Sequence, residues 1–173
     1  MLFRSIGVAE EAANLAGRYG IDENSAYLIG LLHDIAKELP AAEKLRLCEE
    51  YGIEIDEIMR QKPDLTHSFL SAEMAKREFN IKNKDMLNAI RYHTTGRPDM
   101  SLLEKILYIS DCIEPNRPGY QSLLDVRQEA CEDIDGALIK SMRSKMAYTR
   151  AKNEKMHPLS IEALKYLENR GGY

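Results

Sequence analysis

Residues 2–20 read LFRSIGVAEEAANLAGRYG. Leu2, Ile6, Ala9, Ala13, Ala16 and Tyr19 recur at three- and four-residue steps, the spacing of one helix face rather than the alternation of a strand. Gly20 supplies the helix stop. The same period continues downstream. Asp22 is placed to cap a second helix through Tyr27, Leu28, Leu31, Leu32 and Ile35, ending before Pro40. AAEKLRLCEEYG (41–52) reads as a third helix closed by a glycine. A loop around Lys62, Pro63 and Asp64 leads into THSFLSAEMAKREF (66–79), with Thr66 or Ser68 as cap and Phe69, Ala72, Met74 and Ala75 as apolar contacts. NKDMLNAIRYHT (83–94) is a further helix. SLLEKILYISDCI (101–113) is apolar nearly all round and predicts a central one. EPNRPGYQ (114–121) breaks every period, residues 124–155 hold one or two helices, and a last helix spans about 160–169. No segment alternates like a strand. The expected class is all-α, a single-domain helical bundle over residues 1–173.

Of the 173 residues, 30% are charged and 44% hydrophobic, an ordinary globular balance. The net charge of -4 offers no broad basic surface, so no nucleic-acid partner is expected, whereas an anionic small molecule needs only a few local cations. Cys48, Cys112 and Cys131 form no CxxC pair and read as reduced thiols. No apolar run reaches membrane-spanning length, and the N-terminus lacks the pattern of a signal peptide. A cytoplasmic protein with no membrane partner is the expectation. The apolar segment around Leu123 and Val126 reads either as core or as the surface of a homodimer.

The chain has four histidines, His33, His67, His93 and His157. The first three fall at helix ends: His33 before Asp34 in GLLHDIAK, His67 at a helix start, His93 before a Gly-Arg-Pro loop. Imidazoles and carboxylates suit zinc, iron or manganese. A single His-Asp pair is common, and a lone histidine on an apolar helix is ordinarily a hydrogen-bonded core residue. Asp111 resists that reading, because a carboxylate in so apolar a helix is costly to bury unless a cation or donors meet it. Cys112 reads as a small buried hydrophobe.

The order H-D, then H, then Y-H-T, then D resembles the HD-domain metal-dependent phosphohydrolases. GVAEEAANLAGRYG, GLLHDIAK, AIRYHTTGRPDMSLLEKILYISDCIEPNRPG and NEKMHP together resemble its YqeK-type branch. The resemblance implies symmetrical hydrolysis of diadenosine tetraphosphate to two ADP. It implies His33, Asp34 and Asp111 as metal ligands, with iron first and manganese or magnesium as alternatives. It implies Asp34 and Lys37 as catalytic, Lys37 on the phosphate side. His67 and His93 would contact phosphate or a second metal. Gly96, Arg97 and Arg117 would bind substrate, and a closing tail would include Lys152, Asn153 and His157. Metal activation of water and cations around the phosphoryl oxygens are what phosphoanhydride hydrolysis requires.

One position departs from the pattern. The branch opens with a histidine in H-x-x-G-V, where this chain has Arg4-Ser5-Ile6-Gly7-Val8. Arginine keeps its proton and cannot ligate a metal. Weaker metal binding is therefore expected. A nucleotide-binding module with impaired catalysis, or an HD phosphohydrolase acting on another nucleotide, are the rival readings. The branch also carries about one more helix before this point.

Overall fold

The computed structural model describes residues 2–116 and 121–171, with side chains over 3–116 and 123–170. Arg117 lies outside the described residues. Among these residues every regular element is helical.

Helices α1 (Leu2–Arg18) and α2 (Glu23–Leu32) form a tight antiparallel pair, with Asp22 capping α2 by accepting from the Ser25 N–H at 2.7 Å. Their approach depends on Gly30, where a Cβ would lie 2.5 Å from Ala9 Cα. The period read in α1 holds, but its phase is turned. Val8, Ala12, Leu15 and Ala16 are buried, while Ile6 and Ala13 are half-buried. The side chain packed most deeply is set by α2 and by the central helix, not by the number of apolar positions alone.

The helices α3 (Ala41–Glu50), α5 (His67–Glu78) and α6 (Lys84–Tyr92) stand as expected. A short α4 (Glu57–Gln61) and a 3₁₀ turn (Pro63–Thr66) replace the expected loop. The turn runs directly into α5, so neither Thr66 nor Ser68 acts as a side-chain cap. Thr66 Oγ1 donates instead to the Pro63 carbonyl at 2.6 Å.

Helix α7 (Leu102–Ile113) is central, opened by a capping box between Ser101 and Glu104. It packs on α1, α2, α6 and α9 (Ile134–Ala151), burying Ile106, Leu107, Tyr108 and Ile109. Each of the three aliphatic side chains contributes about 1.5–3 kcal/mol when removed from water. Helix α8 (Gln121–Glu129) lays Leu123 and Val126 into this same core, so both belong to the chain's own interior. Helix α10 (Pro158–Gly171) begins two residues earlier than expected. No helix among the described residues is long and apolar enough to cross a membrane.

Candidate metal centre

Three helix ends deliver three imidazoles to one point. His33 follows α2, His67 opens α5 and His93 follows α6. Each turns Nδ1 onto a backbone carbonyl three residues back: His33 to Gly30 at 2.6 Å, His93 to Ile90 at 2.7 Å, and His67 to Asp64 in a short contact. A carbonyl only accepts, so each Nδ1 carries the hydrogen and the lone pair of each neutral ring sits on Nε2. This is the arrangement that orients a ligating histidine.

The three Nε2 atoms face two carboxylates. Asp34 Oδ1 lies 3.0 Å from His67 Nε2 and 3.3 Å from His93 Nε2. His33 Nε2 is 3.4 Å from Asp34 Oδ2 and 3.6 Å from Asp111 Oδ1, yet it is buried and makes no aligned hydrogen bond. A buried nitrogen without a hydrogen-bond partner is costly unless something else meets it. Two overlapping groups are close enough to hold a metal ion, His33 with His93 and Asp111, and Asp34 with His67 and His93. Donor set, burial and the unmatched His33 Nε2 together fit a divalent metal.

The electrostatics have the same character. Burial opposes the charge on Asp34, but its contacts with His33, His67 and His93 prevail and hold it far below the usual carboxylate range. Desolvation also opposes the charge on half-buried Asp111, but His33, His93 and Arg4 prevail and hold it well below the usual carboxylate range. His33 rises to about 9, because facing Asp111 and Asp34 outweighs the effect of its burial. His93 falls to about 4, through burial first and then the neighbouring charges of His33 and His67.

Around this centre the other expected residues divide. Lys37 Nζ stands 3.3 Å from Asp34 Oδ2, half-exposed at the mouth. Arg97 donates to Glu104 through Nε and Nη2, both at 2.9 Å, and to the Pro98 carbonyl. Glu104 is 1% exposed, so the Arg97 fork is committed to a buried carboxylate. Gly96, at φ +67°, closes α6 against the Tyr92 carbonyl, and a Cβ there would meet Met142 Cε at 2.6 Å.

His157 is turned the opposite way to the other three. Its Nδ1 accepts from the Leu159 N–H at 3.2 Å, leaving the hydrogen on Nε2, which lies 2.8 Å from Asp56 Oδ2. It secures the start of α10 and stands apart from the metal centre. Lys152 lies over the Tyr148 ring at 4.5 Å, and Asn153 takes φ +55° at the end of α9. Cys112 is half-buried and accepts from Ser141 Oγ at 3.2 Å, more polar than expected.

Two participants escaped the sequence reading. Thr94 Oγ1 lies 3.2 Å from His93 Nε2 and 3.4 Å from His67 Nε2. Asp64 contributes a carbonyl, and its side chain pairs with the buried Lys44 at 2.7 Å. Thr94 sits inside the YHTTGRP stretch, so its place beside His93 was the available signal; the Asp64 carbonyl had none. Arg4 Nη2, in turn, is 2.6 Å from Asp111 Oδ1.

A histidine–aspartate pair at the end of one helix, joined by histidines and a carboxylate from three others that could hold a metal ion, defines a class. The chain belongs to the HD-domain family, whose sequence pattern matches residues 2–116. Among its relatives is the symmetrical bis(5'-nucleosyl)-tetraphosphatase of Halalkalibacterium halodurans, 40% identical over 156 residues covering 89% of this chain and 81% of that protein. The enzyme of the same description from Bacillus subtilis is 36% identical over 154 residues, covering 89% and 82%. A crystal structure described as a predicted HD superfamily hydrolase involved in NAD metabolism, from Clostridium acetobutylicum, superposes with a TM-score of 0.94 at 39% identity, covering 98% of this chain and 89% of that one. The family and the all-α class read from the sequence are borne out.

Proposed function

We propose that this protein hydrolyses diadenosine tetraphosphate symmetrically to two ADP. The observation that carries the reading is the convergence of His33, Asp34, His67, His93 and Asp111 in a chain so similar to enzymes described by that activity. A divalent metal ion held by His33, Asp34 and Asp111 (iron by preference, manganese or magnesium as alternatives) would supply Lewis-acid polarisation and water activation.

The chain's own residues do the rest. Asp34 stays ionised under contact from three imidazoles and orients the attacking water through its carboxylate. His93, held neutral by its burial, and His67 turn Nε2 lone pairs toward the centre, where they would meet a second metal ion or accept from the attacking water, and Thr94 Oγ1 beside them is the donor available to a phosphoryl oxygen. Lys37 at the mouth balances the charge that gathers on those oxygens. Arg117 and the 152–157 segment contribute further substrate contacts, and Gly96 with Arg97 shapes the adjoining loop.

The test is direct. Purified protein loaded with Fe²⁺ or Mn²⁺ is given diadenosine tetraphosphate, and products are separated by chromatography. ADP as sole product is expected. Formation of ATP with AMP, or an intact substrate, refutes the reading.

A further inference from the structure

Two clefts open beside the metal centre, on either side of α9. The first, about 550 Å³, is lined by Asp64, Thr94, Lys155 and His157. The second, about 880 Å³, is lined by Asp111, Leu123, Val126, Ser144 and Tyr148. Lys145 and Thr149, one turn apart on α9, belong to both walls, so α9 is the ridge between them. Both volumes fall within the range of about 300–1,000 Å³ usual for small-molecule sites.

The clefts reach the centre from different sides. The first does so through Thr94, whose Oγ1 lies 3.2 Å from His93 Nε2. The second does so through Asp111, whose Oδ1 lies 3.6 Å from His33 Nε2. Thr94 and Asp111 thus flank the His/Asp cluster, and each lines one of the two clefts. Lys145, on the ridge between the clefts, donates to the Thr94 carbonyl at 2.6 Å.

Their linings differ in chemistry. The first cleft has Lys62 and Lys155 on its wall and no aromatic side chain among its lining residues. The second has an aliphatic floor of Leu123 and Val126 beside the Tyr148 ring, which is 61% exposed. An exposed aromatic above an apolar floor suits the flat face of a base, and lysines such as Lys62 and Lys155 suit ribose and phosphate oxygens.

We propose that the two clefts hold the two nucleoside ends of one substrate at once, with Tyr148 stacking on the base in the second cleft and the phosphate chain lying across Lys145 and the His/Asp cluster. The proposal rests on the dinucleotide reading above and deepens it. A cut at the midpoint then follows from where the cluster lies between two occupied clefts, with no need to count phosphates from one end.

Calorimetric titration of the metal-loaded protein with ADP tests it. Two ADP per chain are expected. Tyr148→Ala should weaken one of the two events about tenfold, the loss of one base–aromatic stack. Lys155→Glu should weaken the other event severalfold. Both positions are exposed, so the fold tolerates the changes. One ADP per chain, or both variants weakening the same event, or Tyr148→Ala leaving both events unchanged, overturns the proposal. Two ADP bound by a protein that leaves diadenosine tetraphosphate uncut refutes the reaction and retains the two-cleft site. Cutting with a single ADP bound does the reverse.

Discussion

Arg4 Nη2 lies 2.6 Å from Asp111 Oδ1, so a guanidinium occupies one side of a carboxylate in the candidate metal centre. By sequence this is the position where the H-x-x-G-V pattern carries a histidine. The cation neutralises Asp111 and cannot donate a lone pair. Arg4→His removes the competitor and adds a ligand. Metal retained after dialysis against a weak chelator should rise by about tenfold in affinity, the scale on which ligand-shell changes act. Unchanged retention would sink the idea that Arg4 weakens the site.

Gly30 couples packing to chemistry. A Cβ there would press on Ala9 Cα at 2.5 Å, and the Gly30 carbonyl accepts from His33 Nδ1 at 2.6 Å. Gly30→Ala forces α1 and α2 apart, at about 1–3 kcal/mol for overpacking. At roughly 2–4 °C per kcal/mol for a domain of this size, Tm should fall by about 2–12 °C. Because α2 carries His33, metal affinity should fall with it. A variant that melts early but binds metal normally would break the link between the helix crossing and the centre.

Much of this was legible in the chain. Helix caps are local, and Asp22 and Gly20 stand where reading alone places them. His33, His67 and His93 were picked out at helix ends and Asp111 as a carboxylate in an apolar helix, and the structure brings these four side chains together with Asp34. Phase was not legible: Val8 and Ala12 take the core because α2 approaches through Gly30, a tertiary fact. Nor was the partner of Arg97, since Glu104 lies in a helix read only as apolar and central, and it caps that helix while also holding the guanidinium. His157 differs from the other three histidines in its tautomer, fixed by the Leu159 N–H, and in its partner Asp56, neither of which sequence spacing shows.

His33 makes metal binding dependent on pH. Its imidazole rises from 6.5 to about 9 in the metal-free fold, with Asp111 and Asp34 facing it. A raised pKa means the folded state holds the proton more tightly. The stability it contributes is full below 6.5 and is lost as pH climbs through about 9. The metal-free protein should therefore melt at lower temperature at pH 9 than at pH 7. Metal ligation requires the Nε2 lone pair, so uptake near neutral pH should release about one proton per ion, and the yield should decline above pH 9. A pH-indicator titration in dilute buffer reads this. Proton release that stays constant across the range would contradict the assignment of His33 as the group displaced.

Arg97 separates a structural role from a substrate-binding one. Its guanidinium pairs with Glu104, which is 1% exposed and also accepts from the Ser101 N–H at 2.8 Å. Arg97→Ala leaves that carboxylate buried without its cation. The loss should be about 3 kcal/mol, the low end for a broken buried pair because the Arg97 side chain is itself partly exposed. Tm should drop by roughly 6–12 °C. Adding Glu104→Gln removes the stranded charge and should recover more than half of that drop. A phosphate-binding Arg97 behaves otherwise: KM rises, Tm holds, and Glu104→Gln rescues nothing. Measuring Tm and KM on the single and double variants decides between them, and a raised KM that persists in the rescued double variant would assign Arg97 to both tasks.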